Sequence, residues 1–283
     1  MNLWIIYDKE RYLRNQSFAE RLKRSFEKRD ISAQIIKNGI ISSRQAFPDA
    51  AVMRCVNEDL SLFLENKGVR VFNSSQISRI CNDKWKTYQF ISQLGIPVLP
   101  ICLIDRKSSL SHYWSFPFVM KSRFGHGGTE VFWINNHLSY QQAWDQIQDK
   151  TVILQKPASN LGKDVRVYVI GGKIVLAMLR ESSKDFRSNY CLGGRASIYK
   201  LNSKEKEMID PILQALPFDF VGIDFLFDHD KMIFNEIEDV VGCRMVYSLT
   251  DFDLAQQYAD YIENENRNNP KITDRPINQK TEG

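Results

Sequence analysis

Val221-Gly222-Ile223-Asp224-Phe225-Leu226-Phe227, a His229-Asp230 turn, and Met232-Ile233-Phe234-Asn235-Glu236-Ile237-Glu238 make up the passage from which the fold is read. Two apolar runs on either side of a turn predict an antiparallel hairpin. The first run carries an acid at its centre. The second ends in two acids two residues apart, and a strand places such neighbours on one face. Carboxylates gathered there repel one another and are costly to desolvate, so a divalent cation is their natural compensation, and hard oxygen donors select Mg²⁺ or Mn²⁺. The spacing fits equally well with one acid in solvent and the others paired with Arg or Lys. Asp224, Glu236 and Glu238 are therefore candidate metal ligands with that alternative open.

Working upstream, Val152–Gln155, Val165–Ile170, Lys173–Arg180 and Ala196–Leu201 read as strands and Ser203–Leu216 as a helix, which makes the region around the hairpin a mainly antiparallel lobe. Before it, strands Pro117–Lys121 and Thr129–Trp133 flank the loop Ser122–Gly128, and Tyr140–Gln148 supplies a helix. Ser75–Leu94 is helical by pattern, in two pieces, and ends at Gly95 because Ile96-Pro97 must be extended. At the N-terminus, Leu3–Tyr7, Ser17–Lys28 and Ile31–Ile36 give strand, helix, strand. Ala50–Cys55, Asn57–Glu65 and Val69–Phe72 repeat that order, which predicts a mostly parallel sheet. The expected organisation is an α/β lobe over residues 1–73, a small central α+β segment over 74–150, the antiparallel lobe over 151–262 closed by a helix at Asp253–Ile262, and a disordered tail over 263–283.

Composition narrows the function classes. The 283 residues are 43% hydrophobic and 25% charged, which suits a folded chain with a large core. The formal net charge is only +4 and the basic residues are interleaved with acidic ones, so no nucleic-acid footprint is indicated. Leu3–Tyr7 runs straight into Asp8-Lys9-Glu10-Arg11, too short for a signal sequence, and Ile96–Ile104 is too short for a membrane span and carries two prolines. Cys55, Cys81, Cys102, Cys191 and Cys243 are odd in number and widely spread, which argues against disulfides or structural zinc. A cytoplasmic protein with no membrane partner is expected.

Three further segments carry chemistry. Phe124-Gly125-His126-Gly127-Gly128 joins two strands rather than a strand to a helix, so it is no dinucleotide fingerprint. Placed just after Lys121, it suits a lid whose backbone amides close over phosphates; a plain hairpin turn needing positive φ accounts for it as well. Asp164-Val165-Arg166 and Asp185-Phe186-Arg187-Ser188-Asn189, the latter followed by Gly193-Gly194, add cations. With the lysine, the glycine loop and the carboxylates, they describe a nucleoside triphosphate site.

The order of these motifs resembles the ATP-grasp superfamily and, within it, the RimK-type amino-acid ligases. The resemblance rests on Asp83-Lys84, Lys121 at a strand end, Gly125–Gly128, Gln155, Gly162-Lys163-Asp164-Val165-Arg166, the Asp185–Asn189 loop with Gly193-Gly194, Gly222-Ile223-Asp224 and Glu236-Ile237-Glu238. It implies an ATP-grasp fold from about Asn73 to Ile262, preceded by the family's α/β domain. It further implies that Lys84, Lys121 and the loop glycines Gly125, Gly127 and Gly128 contact ATP phosphates. Gln155, Lys156, Pro157 and Ala158 would hold adenine, and Asp164 would lie near the ribose. Arg166, Arg187 and Asn189 would face the transferring phosphate, and Asp224, Glu236 and Glu238 would hold two Mg²⁺ ions, or Mn²⁺. Lys156 stands where the family commonly has an acid, and Glu238 where it commonly has Asn. Asp239-Val240-Val241-Gly242-Cys243-Arg244 replaces its Ser-x-Pro-Gly-like turn.

The expected activity is ATP-dependent joining of a carboxylate to an amine through an acylphosphate, with an amino acid, a peptide or a protein as acceptor. An ATP-grasp phosphotransferase and a nucleotide-sensing module are the alternatives, and a homo-oligomer is left open. Arg244 is expected either to clamp a substrate carboxylate or to pair with Asp239 or Asp251.

Overall fold

The computed structural model describes residues 1–37, 46–108, 110, 114–128, 130–188 and 194–268. It divides into two compact units, Met1–Ser75 with the segment that begins at Phe252, and Gln76–Asp251.

In the first unit, strands β1 (Asn2–Tyr7), β2 (Ser32–Lys37), β3 (Ala50–Met53) and β4 (Arg70–Phe72) form one sheet in the order β2-β1-β3-β4, every pairing parallel. The connections are helices α1 (Lys9–Glu27) and α2 (Glu58–Asn66). Asn57 caps α2, accepting from the backbone N–H of Leu60 at 2.9 Å. Helix α1 starts eight residues before the Ser17 expected from sequence, because Asp8 caps it through the N–H of Arg11 at 2.7 Å. Its first two turns are mostly polar and leave no apolar period to read; Asn15 leaves helical geometry between the two halves.

The closing helix, named α8 here because it is last in the chain (Leu254–Asn268), belongs to this unit. It buries Leu254, Ala255, Tyr258, Ala259 and Ile262 at helical spacing. Arg29 pairs with Asp260 and Arg70 with Glu265, and Tyr261 meets Phe72 edge to face. Residues 263–268, expected to open a disordered tail, are helical, and 269–283 lie outside the described residues.

The second unit carries two sheets. β5 (Ile101–Asp105), β6 (Phe118–Ser122), β7 (Val131–Ile134) and β8 (Thr151–Gln155) pair antiparallel in the order β5-β8-β6-β7, backed by α5 (His137–Gln146). Strand β5 hid in the sequence inside a proline-containing apolar run. The larger sheet, β11-β10-β9-β12-β13, is antiparallel throughout and comprises β9 (Lys163–Ile170), β10 (Lys173–Glu181), β11 (Arg195–Ile198), β12 (Phe220–Asp228) and β13 (Lys231–Glu238). One face buries Val165, Val167, Val169, Ile223 and Phe225 against α4 (Lys84–Gln93) and α6 (Ser203–Ala215). Helices α3 (Ser75–Cys81) and α7 (Arg244–Leu249) complete the elements, α7 lying in a stretch the sequence left unassigned.

Candidate active site

Alternation along β9 and β12 gives the other face of the large sheet its charges. Arg166 lies opposite Asp224, Asp224 opposite Glu236, Arg180 opposite Asp164, and Glu238 opposite Gly222. One carboxylate oxygen from each of Asp224, Glu236 and Glu238 lies within 4.8 Å of the other two. The acids are also ion-paired, as the alternative reading had two of them, but none of the three stands in open solvent. Arg166 grips Asp224 with Nε at 2.8 Å and Nη2 at 2.7 Å and reaches Glu238 at 2.8 Å.

Arg180, which the sequence reading passed over, bridges Asp164 in bidentate fashion at 2.6 Å and Asp224 at 2.7 Å. Its only sequence signal was a charge ending an apolar strand, weaker than the mid-strand acid that exposed Asp224. Burial pushes the Asp224 carboxyl up, but the two guanidiniums pull it down further, to about 2. For Glu238 and Asp164 burial prevails over the neighbouring guanidinium and both carboxyls are raised. Gly222 is required beside this face, because a Cβ there would come 2.5 Å from Val241 Cγ2.

Next to these charges opens a cleft of about 890 Å³, including its mouth. Its lining includes Lys84, Lys121, Gly125, Gly127, Gly128, Gln155, Lys156, Pro157, Ala158, Asp164, Arg187 and Glu236 from the sequence set. Leu99, Val119, Val131, Phe186 and Leu226 add apolar walls, and Arg180, Ser188 and Asn235 complete much of the polar lining. Asp224, Glu238 and Arg166 do not line the cleft. Asp164 reaches the cleft wall and is held there by Arg180. Arg244 is exposed at the first residue of α7 and does not line the cleft. Asn189 and Gly193 lie outside the described residues.

The two lysines reach the cleft from different elements. Asp83 caps α4 through the N–H groups of Trp85 and Lys86 and binds the guanidinium of Arg123 at 2.7 and 2.6 Å. Lys84 follows; its backbone N–H donates to the Arg123 carbonyl at 3.1 Å, while its Nζ donates to the Gly125 carbonyl and sits 3.6 Å from Glu236. Start of helix and start of loop are thus tied together. Within the loop, the Gly125 N–H donates to Ser122 Oγ at 2.8 Å, and that hydroxyl donates to Asp149. Arg187, bound to Asp185, donates to the Gly128 carbonyl at 2.9 Å, and Phe186 contacts the ring of Trp133.

Lys121 is buried on β6. Its Nζ donates to Tyr88 Oη at 3.1 Å and to Asn235 Oδ1 at 3.4 Å, and burial brings its pKa down to about 7 against the opposing pull of Glu236. Tyr88 also accepts from Gln155 Nε2 at 2.6 Å. No pattern in the sequence could have found Tyr88, which sits on α4 at a spacing that reads as core.

Taken as donors, three carboxylates within one small volume fit a hard divalent cation, and glycine-loop backbone beside two lysines fits a polyphosphate. Among the described residues no helix is long and apolar enough to cross a membrane.

Residues 81–262 match the RimK-like ATP-grasp domain. The chain is 26% identical over 253 residues to the uncharacterised protein MG011 of Mycoplasma genitalium, covering 87% of this chain and 86% of that protein. It is 27% identical over 230 residues to the glutamate–LysW ligase ArgX of Sulfurisphaera tokodaii, covering 76% of this chain and 82% of the ligase. Among solved structures, the D-alanine–D-alanine ligase of Bacillus anthracis complexed with ATP superposes with a TM-score of 0.73 at 14% identity, covering 94% of this chain and 98% of that one.

Proposed function

The chain belongs to the RimK-like ATP-grasp family, and from that premise we propose that it is an ATP-dependent ligase that joins a carboxylate to an amine through an acylphosphate, releasing ADP and phosphate. The observation that carries this reading is the adjacency, in one cleft, of Lys84, Lys121 and the Gly125–Gly128 loop to Glu236, whose carboxylate converges with those of Asp224 and Glu238.

Leu99, Val119, Val131 and Leu226 offer apolar flanks for a purine, with backbone groups of Gln155–Ala158 at its edge. Lys84 and Lys121 supply positive charge to the phosphates, and the loop amides close over them. Asp224, Glu236 and Glu238 would hold Mg²⁺, which when bound neutralises phosphate charge and orients the transferring group. Arg187 is poised at the loop to exchange Asp185 for a developing phosphoryl or oxyanion charge. Arg166 and Arg180 hold Asp224 ionised and the neighbouring carboxylates in place. The substrate carboxylate displaces ADP from the γ-phosphate; the amine then displaces phosphate from the acyl carbon, and the amine proton leaves with it. The glutamate ligase among the relatives makes glutamate the first acid to try, as donor or as acceptor.

Purified protein with Mg²⁺-ATP is screened against amino acids and short peptides, with products weighed by mass spectrometry. The account expects a product lighter by one water than its two substrates combined, and ADP formed in equal amount. A phosphorylated acid or peptide that accumulates and is not consumed by amines would make the protein a phosphotransferase instead.

A further inference from the structure

Tyr88 stands outside every motif that identified the cleft, and it does not line the cleft wall. Yet its hydroxyl touches both side chains that anchor a nucleotide at opposite ends. It accepts from Gln155 Nε2 at 2.6 Å, beside the segment assigned to the base, and from Lys121 Nζ at 3.1 Å, on the side assigned to the phosphates. The ring is fixed in turn: it is buried, packs edge to face on Phe234 with centroids 6.0 Å apart, and lies 5.0 Å beneath the Lys121 amine. Lys121 and Gln155 come from the adjacent strands β6 and β8, whereas Tyr88 comes from α4. One phenol therefore ties two strands of the smaller sheet to a helix packed on the larger one.

The geometry points to Tyr88 as a positioning residue that holds the Lys121 amine ready for the nucleotide's phosphates, an inference that rests on the ATP reading above. A buried ammonium needs acceptors for its protons, and the structure gives Lys121 two oxygen partners, Tyr88 Oη and Asn235 Oδ1. Removing the hydroxyl leaves one. The amine then loses both its direction and part of what stabilises its charge, and a turned-away lysine cannot reach the phosphates. The depressed pKa of Lys121 is consistent with a charge held by few partners. A tyrosine that only filled space would make the same ring contacts as phenylalanine.

The test is Tyr88→Phe, which keeps the ring, read as the ratio of affinities for Mg²⁺-ATP and for adenosine. Adenosine lacks the phosphates, so a general loss of structure weakens both ligands, whereas a displaced Lys121 weakens ATP alone. The expected result is a fall of about tenfold in the ATP-to-adenosine ratio. Lys121→Met should lower the ratio at least as much, and the double variant should bind like Lys121→Met alone, since the hydroxyl acts through the amine. Wild-type protein that binds ATP, with an unchanged ratio in Tyr88→Phe or additive losses in the double variant, would overturn the inference and leave the ATP reading standing. Wild-type protein that binds no ATP would overturn both. If Tyr88→Phe does not fold, wild-type protein with ¹³C-labelled lysine and bound ADP serves: a nuclear Overhauser contact between Lys121 Cε protons and the Tyr88 ring is expected, and its absence overturns the inference.

Discussion

Asp224 has one role in the proposed mechanism and another in the fold, and their costs differ. As the metal ligand we propose, its replacement would remove activity. As the shared partner of Arg166 and Arg180 its replacement strands two buried guanidiniums. Asp224→Asn is therefore expected to abolish turnover and also to lower stability by roughly 3 kcal/mol, measured by urea denaturation. Spacing marks Asp224 as a candidate metal ligand; the stability cost comes from cross-strand partners that no linear reading identifies. A wild-type stability for Asp224→Asn would mean that these ion pairs are absent in solution.

The sign of the pH dependence follows for Lys121. Its folded pKa of about 7 lies well below that of an exposed lysine, so burial penalises the charged amine below pH 7, and the penalty is relieved as pH rises above it. Phosphates favour the charged form and raise the pKa in the complex. Between the two values ADP binding must take up a proton. At pH 8 the calorimetric binding enthalpy should be more positive in Tris than in HEPES, because the buffer supplies that proton, and the difference should vanish in Lys121→Met. No difference in the wild type would contradict a neutral amine in the free protein.

At the scale of elements, loops are fixed by backbone as much as by side chains. Gly162 adopts φ of +68°, and a Cβ there would press on the carbonyl oxygen of Ser182 and lie 2.8 Å from that of Asp185. Its N–H donates to the Phe186 carbonyl at 2.9 Å, so it sets the loop that presents Arg187. Gly162→Ala is expected to cost about 2 kcal/mol or more and to weaken ATP more than adenosine; equal affinity for both ligands, unchanged from wild type, would show that the loop does not depend on this turn. Most elements were legible because their signals are local: β12 and β13 from apolar runs around a turn, α2 from its Asn57 cap, the parallel sheet from repeated strand, helix, strand order. β5 and α7 were not, since prolines and a glycine-containing turn flank short apolar stretches whose partners lie far along the chain. The candidate site was legible to the same extent. Lys121 and Asp224 announce themselves as charges within apolar strands, whereas Tyr88 looks like core and Arg123 like surface until their partners are known.

At the scale of the whole chain, the division into units assigns the last helix to the first lobe rather than to the lobe that precedes it in sequence. Leu254, Tyr258 and Ile262 are fully buried there, with Arg29 and Arg70 bound to acids of the same helix. A chain truncated after Asp251 should lose amide hydrogen-exchange protection across β1–β4 while β9–β13 remain protected. Uniform protection in the truncated chain would show that α8 is dispensable to the first unit.

The central claim concerns the fate of one oxygen atom. If the carboxylate attacks the γ-phosphate, an acid labelled with ¹⁸O in its carboxyl group must surrender one labelled oxygen to inorganic phosphate when the amine displaces it. With the acid and amine identified by the product screen, mass spectrometry of the released phosphate reads this directly. The account predicts one ¹⁸O per phosphate alongside ADP; unlabelled phosphate, or label recovered in AMP, would contradict it.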